Sequence, residues 1–281
     1  MDAIARWVEA SPYTAALGMR LTKLDETSAS IALPFAEGNA NPGRALHGGC
    51  AASLAAVGGQ CVSRAAMGAG AGPFHTAAVQ INYLAAAIGE DVHAHARLLR
   101  RGKDMCFVEI DVATDGGKSI AHATALVRAR HGAEPTSLHL AAGDAGAADP
   151  GPLGPHVVKA PYMAARRIVI EHMQQGKSRL TMPCSGANAD ADGGPHEGAV
   201  LALLDTTGAM ASWAESGPGP YKASTPSLQA QILAAPSAQD LVAYGRVVQR
   251  DGAIFWAEAE VAGRDDGRVI ARGTVIYRIV A

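Results

Sequence analysis

The chain repeats itself. Setting His47 against His196 gives an offset of 149 residues. The same offset pairs Pro34 with Pro183, Asn39 with Asn188, Thr76 with Thr225, Asp91 with Asp240 and Glu109 with Glu258. After one inserted residue, Ile120 meets Ile270, Thr124 meets Thr274 and Arg128 meets Arg278. Chance does not hold one register that far with a single indel. A repeat this long means two copies of one domain, which suits 281 residues at roughly 100–200 per domain. Residues 131–155 are rich in Gly, Pro and Ala without periodicity and read as a linker. The expected division is an N-terminal domain at 1–130, this linker, and a C-terminal domain at 156–281.

Each copy shows the same order of patterns. A short helix is expected near 2–17, and again near 158–165. An alternating segment ending in proline follows (Arg20 to Pro34, Arg167 to Pro183) and reads as strand or hairpin. An alanine-rich apolar run comes next, Gly48 to Met67 and Gly198 to Glu215, too long for a strand. Three or four alternating segments close each copy, within 74–85, 91–101, 105–114 and 119–130 and within 224–235, 240–250, 254–263 and 268–280. A helix that is apolar all round must be covered all round. The fold class is therefore α+β: a long central helix wrapped by an antiparallel sheet, twice over. The repeat-matched aromatics Phe107 and Trp256 are expected in the core.

Bulk properties exclude several classes. A formal charge of -2 argues against nucleic acid as partner. No apolar run reaches the ~18 residues of a membrane span, and the first ten residues do not read as a signal peptide. Cys50, Cys61, Cys106 and Cys184 lack C-x-x-C spacing and read as reduced thiols. His93, His95 and His122 lie on strand-like segments without metal-ligand spacing, so no metal is expected. A cytoplasmic protein is the resulting expectation.

Two features carry chemistry. Leu46-His47-Gly48-Gly49 opens the first apolar helix with two glycines, each costing about 1 kcal/mol against alanine there. Close approach of a ligand to the backbone would explain them, and free N–H groups at a helix start attract negative charge. The plainer reading is a loop-to-helix junction with a packing histidine, repeated as His196-Glu197-Gly198. Asp205 is the second feature, the one charge in the body of the second helix. A buried unpaired carboxylate is costly, so it is either paired or functional. Its counterpart is Ala56, which argues against a need set by the fold. Asp205 lies about 13 Å along its helix from His196, too far to serve its own helix start. It could serve the start of an antiparallel neighbour, and the repeat supplies one at Gly48.

N-x5-HGG-x6-D followed by a strand Thr or Ser resembles the hotdog acyl-CoA thioesterases of the phenylacetate-pathway type. Copy one has Asn41, His47, Gly48 and Gly49 but Ala56 for the Asp. Copy two keeps His196 and Asp205 but has Asp190 and Glu197 in place of Asn and Gly. The resemblance covers both halves, and together they hold one complete set. It implies thioester hydrolysis at one competent site across the halves, with a degenerate partner. The implied roles are the Gly48 N–H as oxyanion donor, and His47 and Asn41 as positioning groups. Asp205 would be general base or nucleophile, and Thr225 would hold the water. Gly49 and the basic turn of Arg100, Arg101 and Lys103 would bind substrate, the turn meeting the coenzyme A phosphates.

Alternatives are a non-catalytic acyl-CoA-binding module and an enoyl-CoA hydratase of the same fold, suggested by Asn41-Pro42 and by Asp190 with His196. The expected partner is a small-molecule acyl-CoA. No cofactor, nucleic acid or membrane is expected, and the double unit is expected to form a homo-oligomer. The halves are expected to pack as a pseudo-dimer with one joined sheet.

Overall fold

In the computed structural model, which describes residues 2–144 and 146–280, both halves take the expected order of elements. The first half has helices α1 (Asp2–Ala10) and α2 (Pro12–Leu17), then hairpin β1 (Arg20–Leu24) and β2 (Ser28–Leu33). The central helix α3 (Gly48–Met67) follows, then β3 (Phe74–Tyr83), β4 (Val92–Arg101), β5 (Met105–Thr114) and β6 (Ser119–Ala129). The second half runs α4 (Gly154–Val157), α5 (Pro161–Arg166), β7 (Val169–Gln174), β8 (Lys177–Met182), α6 (Glu197–Ser216), β9 (Lys222–Ile232), β10 (Leu241–Asp251), β11 (Ile254–Gly263) and β12 (Val269–Val280).

The twelve strands form one antiparallel sheet in the order β1-β2-β4-β5-β6-β3-β9-β12-β11-β10-β8-β7. The halves join through β3 and β9, where Gln80 faces its own repeat mate Gln229. A pseudo-two-fold axis therefore passes through this pair. It brings α3 and α6 together on one face of the sheet, antiparallel. The Cα of Gly49 comes so close to Ala202 that a Cβ on it would lie 2.4 Å from the Ala202 methyl, and one on Gly198 would lie 2.7 Å from the Ser53 hydroxyl. Glycine is thus required where the helices cross. The alanine and glycine content of both helices serves the same closeness, since their buried faces meet sheet and helix at once.

Several details differ from the sequence reading. The helix expected over 2–17 breaks at Ser11, because Pro12 drives the preceding residue out of the helical region; Ser11 is extended, with ψ 119. Pro161 likewise starts α5 afresh after α4. Phe107 is 42% exposed and not core: Cys106 and Val108 face inward, and strand alternation turns Phe107 to the outer face. In the second half Phe255 takes the buried position and Trp256 is only half-buried. In the linker Leu138 and Leu140 stay exposed, and polar bonds hold the segment to the second half. The Ala141 N–H donates to the Gly267 carbonyl, the Ala142 N–H to Glu260, and Arg179 pairs with Asp144.

Candidate active site

The antiparallel pairing of α3 and α6 sets the middle of one helix beside the start of the other. Asp205, in the middle of α6, reaches the first turn of α3. A Cβ built on Gly48 would lie 2.8 Å from Asp205 Oδ2, so the carboxylate rests against the glycine backbone. The Gly48 N–H, first of the helix, has no hydrogen-bond acceptor among the described residues. His47 caps α3: its Nδ1 accepts the Gly49 N–H at 3.0 Å. With Nδ1 as acceptor the ring proton sits on Nε2. Burial, and then the positive charge of Arg166, hold the His47 pKa down at about 3, so the ring is neutral. It stacks on Tyr162 of the other half, with centroids 3.9 Å apart.

Asp205 is 4% exposed. Burial raises its pKa from 3.8 to about 7, and a hydrogen bond from the Thr225 hydroxyl works against that rise. Oδ1 has no partner. A β-bulge explains how Thr225 reaches it. Ser224 and Ser227 pair with Arg278 and Ile276, so Thr225 and Pro226 together oppose the single residue Tyr277, and bulges re-aim side chains in this way.

Sequence reasoning missed two tyrosines. The Tyr83 ring packs on Gly48 and its hydroxyl donates to the Gly48 carbonyl at 3.3 Å. Tyr277 accepts the Trp213 indole N–H at 3.1 Å, and burial, then the nearby Asp205 charge, raise its pKa. Neither belongs to a motif; each is one alternating position on a strand. Cys50 and Cys61 are no rival nucleophiles, since burial pushes both thiols up to about 12 and away from the reactive thiolate.

The other expected residues divide. Gly49 lies at the helix crossing against Ala202 and is filled by protein on that side. Asn41 opens the turn before α3, where its carbonyl accepts the Arg44 N–H; its side chain makes no hydrogen bond among the described residues. The basic turn of Arg100, Arg101 and Lys103 is not brought to Gly48. The neighbouring Cys106 bonds Ser63, which places the turn at the far end of α3, roughly 22 Å from Gly48 along the axis. A cavity of about 1030 Å³ lies on the outer face of the sheet and touches neither Gly48 nor Asp205.

Residues 36–128, which include the His-Gly-Gly turn, match the family model described as the acyl-CoA thioesterase N-terminal domain. That stretch is similar to an acyl-CoA thioesterase domain, and the chain as a whole has the hotdog fold. Its whole length has the fold of several solved structures. A putative thioesterase II from Thermobifida fusca is 15% identical with a TM-score of 0.69, over 96% of this chain and 98% of that one. A hotdog-fold protein of unknown function from Alicyclobacillus acidocaldarius is 18% identical, TM-score 0.63, over 92% and 95%. An acyl-CoA thioesterase II from Mycobacterium marinum is 10% identical, TM-score 0.62, over 94% and 95%. No curated protein matches the chain. In this hotdog pair no helix of the described residues is long and apolar enough to cross a membrane.

Proposed function

We propose that this hotdog protein hydrolyses acyl-CoA thioesters at one site per chain, formed by the start of α3 and the middle of α6. The observation that carries the reading is the contact between Asp205 and Gly48: a carboxylate without a full set of partners, pressed against a helix start with a free N–H. The thioester carbonyl oxygen would take the Gly48 N–H, in line with the helix dipole. Asp205, as carboxylate, takes a proton from a water held by Thr225. The resulting hydroxide attacks the carbonyl carbon, and negative charge moves to the oxygen facing Gly48. Collapse of that intermediate breaks the C–S bond, and protonated Asp205 returns its proton to the coenzyme A thiolate. A base with a pKa near working pH suits both transfers. Neutral His47 keeps α3 capped and its first turn aimed; Tyr83 holds the Gly48 peptide from the other side. Asn41, at the mouth of this turn, would orient the thioester.

The test is release of free thiol from a panel of acyl-CoAs. Asp205→Asn should lower kcat by about 100-fold or more, the usual weight of a general base, with the fold intact by circular dichroism. Full activity in Asp205→Asn would end this reading.

A further inference from the structure

The pseudo-symmetric counterpart of the site, at the start of α6, has Glu197 where the first has Gly48 and Ala56 where it has Asp205. These two changes compensate each other. At the competent site a side chain at Gly48 would collide with the Asp205 carboxylate, 2.8 Å from its Cβ position. At the second site Ala56 presents no carboxylate to collide with, and the opposite helix carries Glu197 at the position of Gly48. Both carboxylates end beside the repeat-matched threonine: Asp205 takes the Thr225 hydroxyl, and Glu197 takes the Thr76 backbone N–H at 3.2 Å. Each thus bonds its repeat-matched threonine, Asp205 from the middle of its helix and Glu197 from the start of the same helix.

Their surroundings differ. Asp205 Oδ1 has no partner. Glu197 accepts from Gln60 Nε2 at 2.7 Å as well as from Thr76, and pairs with His75 Nδ1 at 3.3 Å. Gln60 in turn accepts from Arg64, whose guanidinium lies over the Trp7 ring at 4.2 Å. His75 also meets Glu134 at 3.3 Å. The second site is thus filled by a chain of polar contacts running from α1 through α3 to the segment after β6.

We propose that Glu197 is a built-in plug. It replaces the missing aspartate in space and charge, satisfies itself on Gln60, Thr76 and His75, and closes the second site to acyl-CoA. The inference rests on the thioesterase reading of the Gly48–Asp205 site. It implies that Ala56→Asp alone does not revive the second site, because it sets a second carboxylate against Glu197; Glu197→Gly must accompany it.

Titration calorimetry with a non-hydrolysable thioether analogue of acyl-CoA should give one equivalent per wild-type chain. Asp205→Asn should lower turnover about 100-fold or more; adding Ala56→Asp should leave it there, and adding Glu197→Gly to that pair should raise it at least about tenfold, a part of what a positioned base supplies. Two equivalents on the wild type would overturn the plug, as would equal rescue by Ala56→Asp without Glu197→Gly. The wild-type stoichiometry decides the matter even if a variant does not fold. The two readings fail separately: a wild type that hydrolyses nothing sinks the thioesterase, and a wild type that hydrolyses and binds two equivalents sinks only the plug.

Discussion

Asp205 and Glu197 show how far environment alone sets a carboxylate's behaviour. Glu197, with backbone, amide and imidazole partners, has its pKa lowered despite burial. Asp205, with a threonine alone, has its pKa raised to about 7. A carboxyl whose pKa is higher folded than unfolded binds its proton more tightly in the folded state. Asp205 therefore costs no stability below pH 3.8, costs progressively more as pH rises, and reaches its full cost above about 7. At about 1.4 kcal/mol per pH unit that is a few kcal/mol. Two outcomes follow. Hydrolysis should rise with pH through about 7 and level off above it, read from kcat against pH. Asp205→Asn should melt higher than the wild type at pH 8, with the difference vanishing near pH 4; a lower melting point at both would contradict the unpaired carboxylate. Gly48→Ala puts a methyl 2.8 Å from Oδ2. It should cut kcat more than it raises KM, because the carboxylate it displaces acts in the chemical step rather than in substrate binding.

At the scale of elements, the two helix starts are built alike and differ in use. His47 accepts the Gly49 N–H and His196 accepts the Gly198 N–H at 2.9 Å. Each ring stacks on a tyrosine of the opposite half, Tyr162 and Tyr13. Either His→Ala change removes a cap and should cost about 1 kcal/mol, plus the lost stacking. The effects on turnover should diverge: His47→Ala slows hydrolysis and His196→Ala leaves kcat within about twofold, because only the first cap aims a reacting turn. Thermal melts and thiol release on the same samples test both halves of the statement. Equal losses of activity would mean that both helix starts take part.

The whole molecule is held together at its pseudo-two-fold. β3 pairs with β9, and the Tyr13 and Tyr162 hydroxyls, repeat mates, meet at 2.9 Å. Symmetry breaks at Arg166, which stands where the first half has Leu17. Its guanidinium is buried among Tyr13, Tyr162 and the Ala187 carbonyl, to which Nη1 donates at 2.7 Å. The halves therefore share helices, sheet and a buried charge, and each alone would expose an unpaired inner strand and an apolar helix face. Residues 1–145 or 146–281 expressed alone should give no hydrolysis, since Gly48 and Asp205 lie on different pieces. Coexpression should restore it. Activity in one half by itself would refute a site shared across the halves.

The repeat, the apolar helix runs and the strand alternation were legible because each is a local pattern with its own period. From them came the two-copy α+β organisation and bounds for α3 and the later strands that hold to within a few residues. The one charge in the body of α6, against Ala56 in α3, pointed to a shared site through helix length alone. What stayed hidden depends on side chains meeting across the sheet or between halves. Phe107 and Phe255 have opposite facings that a one-residue step decides. Tyr83 and Tyr277 gain meaning only once β3 and β12 lie beside Gly48 and Asp205. That the basic turn of Arg100, Arg101 and Lys103 lies at the far end of α3 from Gly48 emerges only from the packing of that helix. Glu197 looked like a lost glycine. Only the tertiary structure brings it to Gln60, Thr76 and His75, because what a side chain meets is set by distance in space and not along the chain.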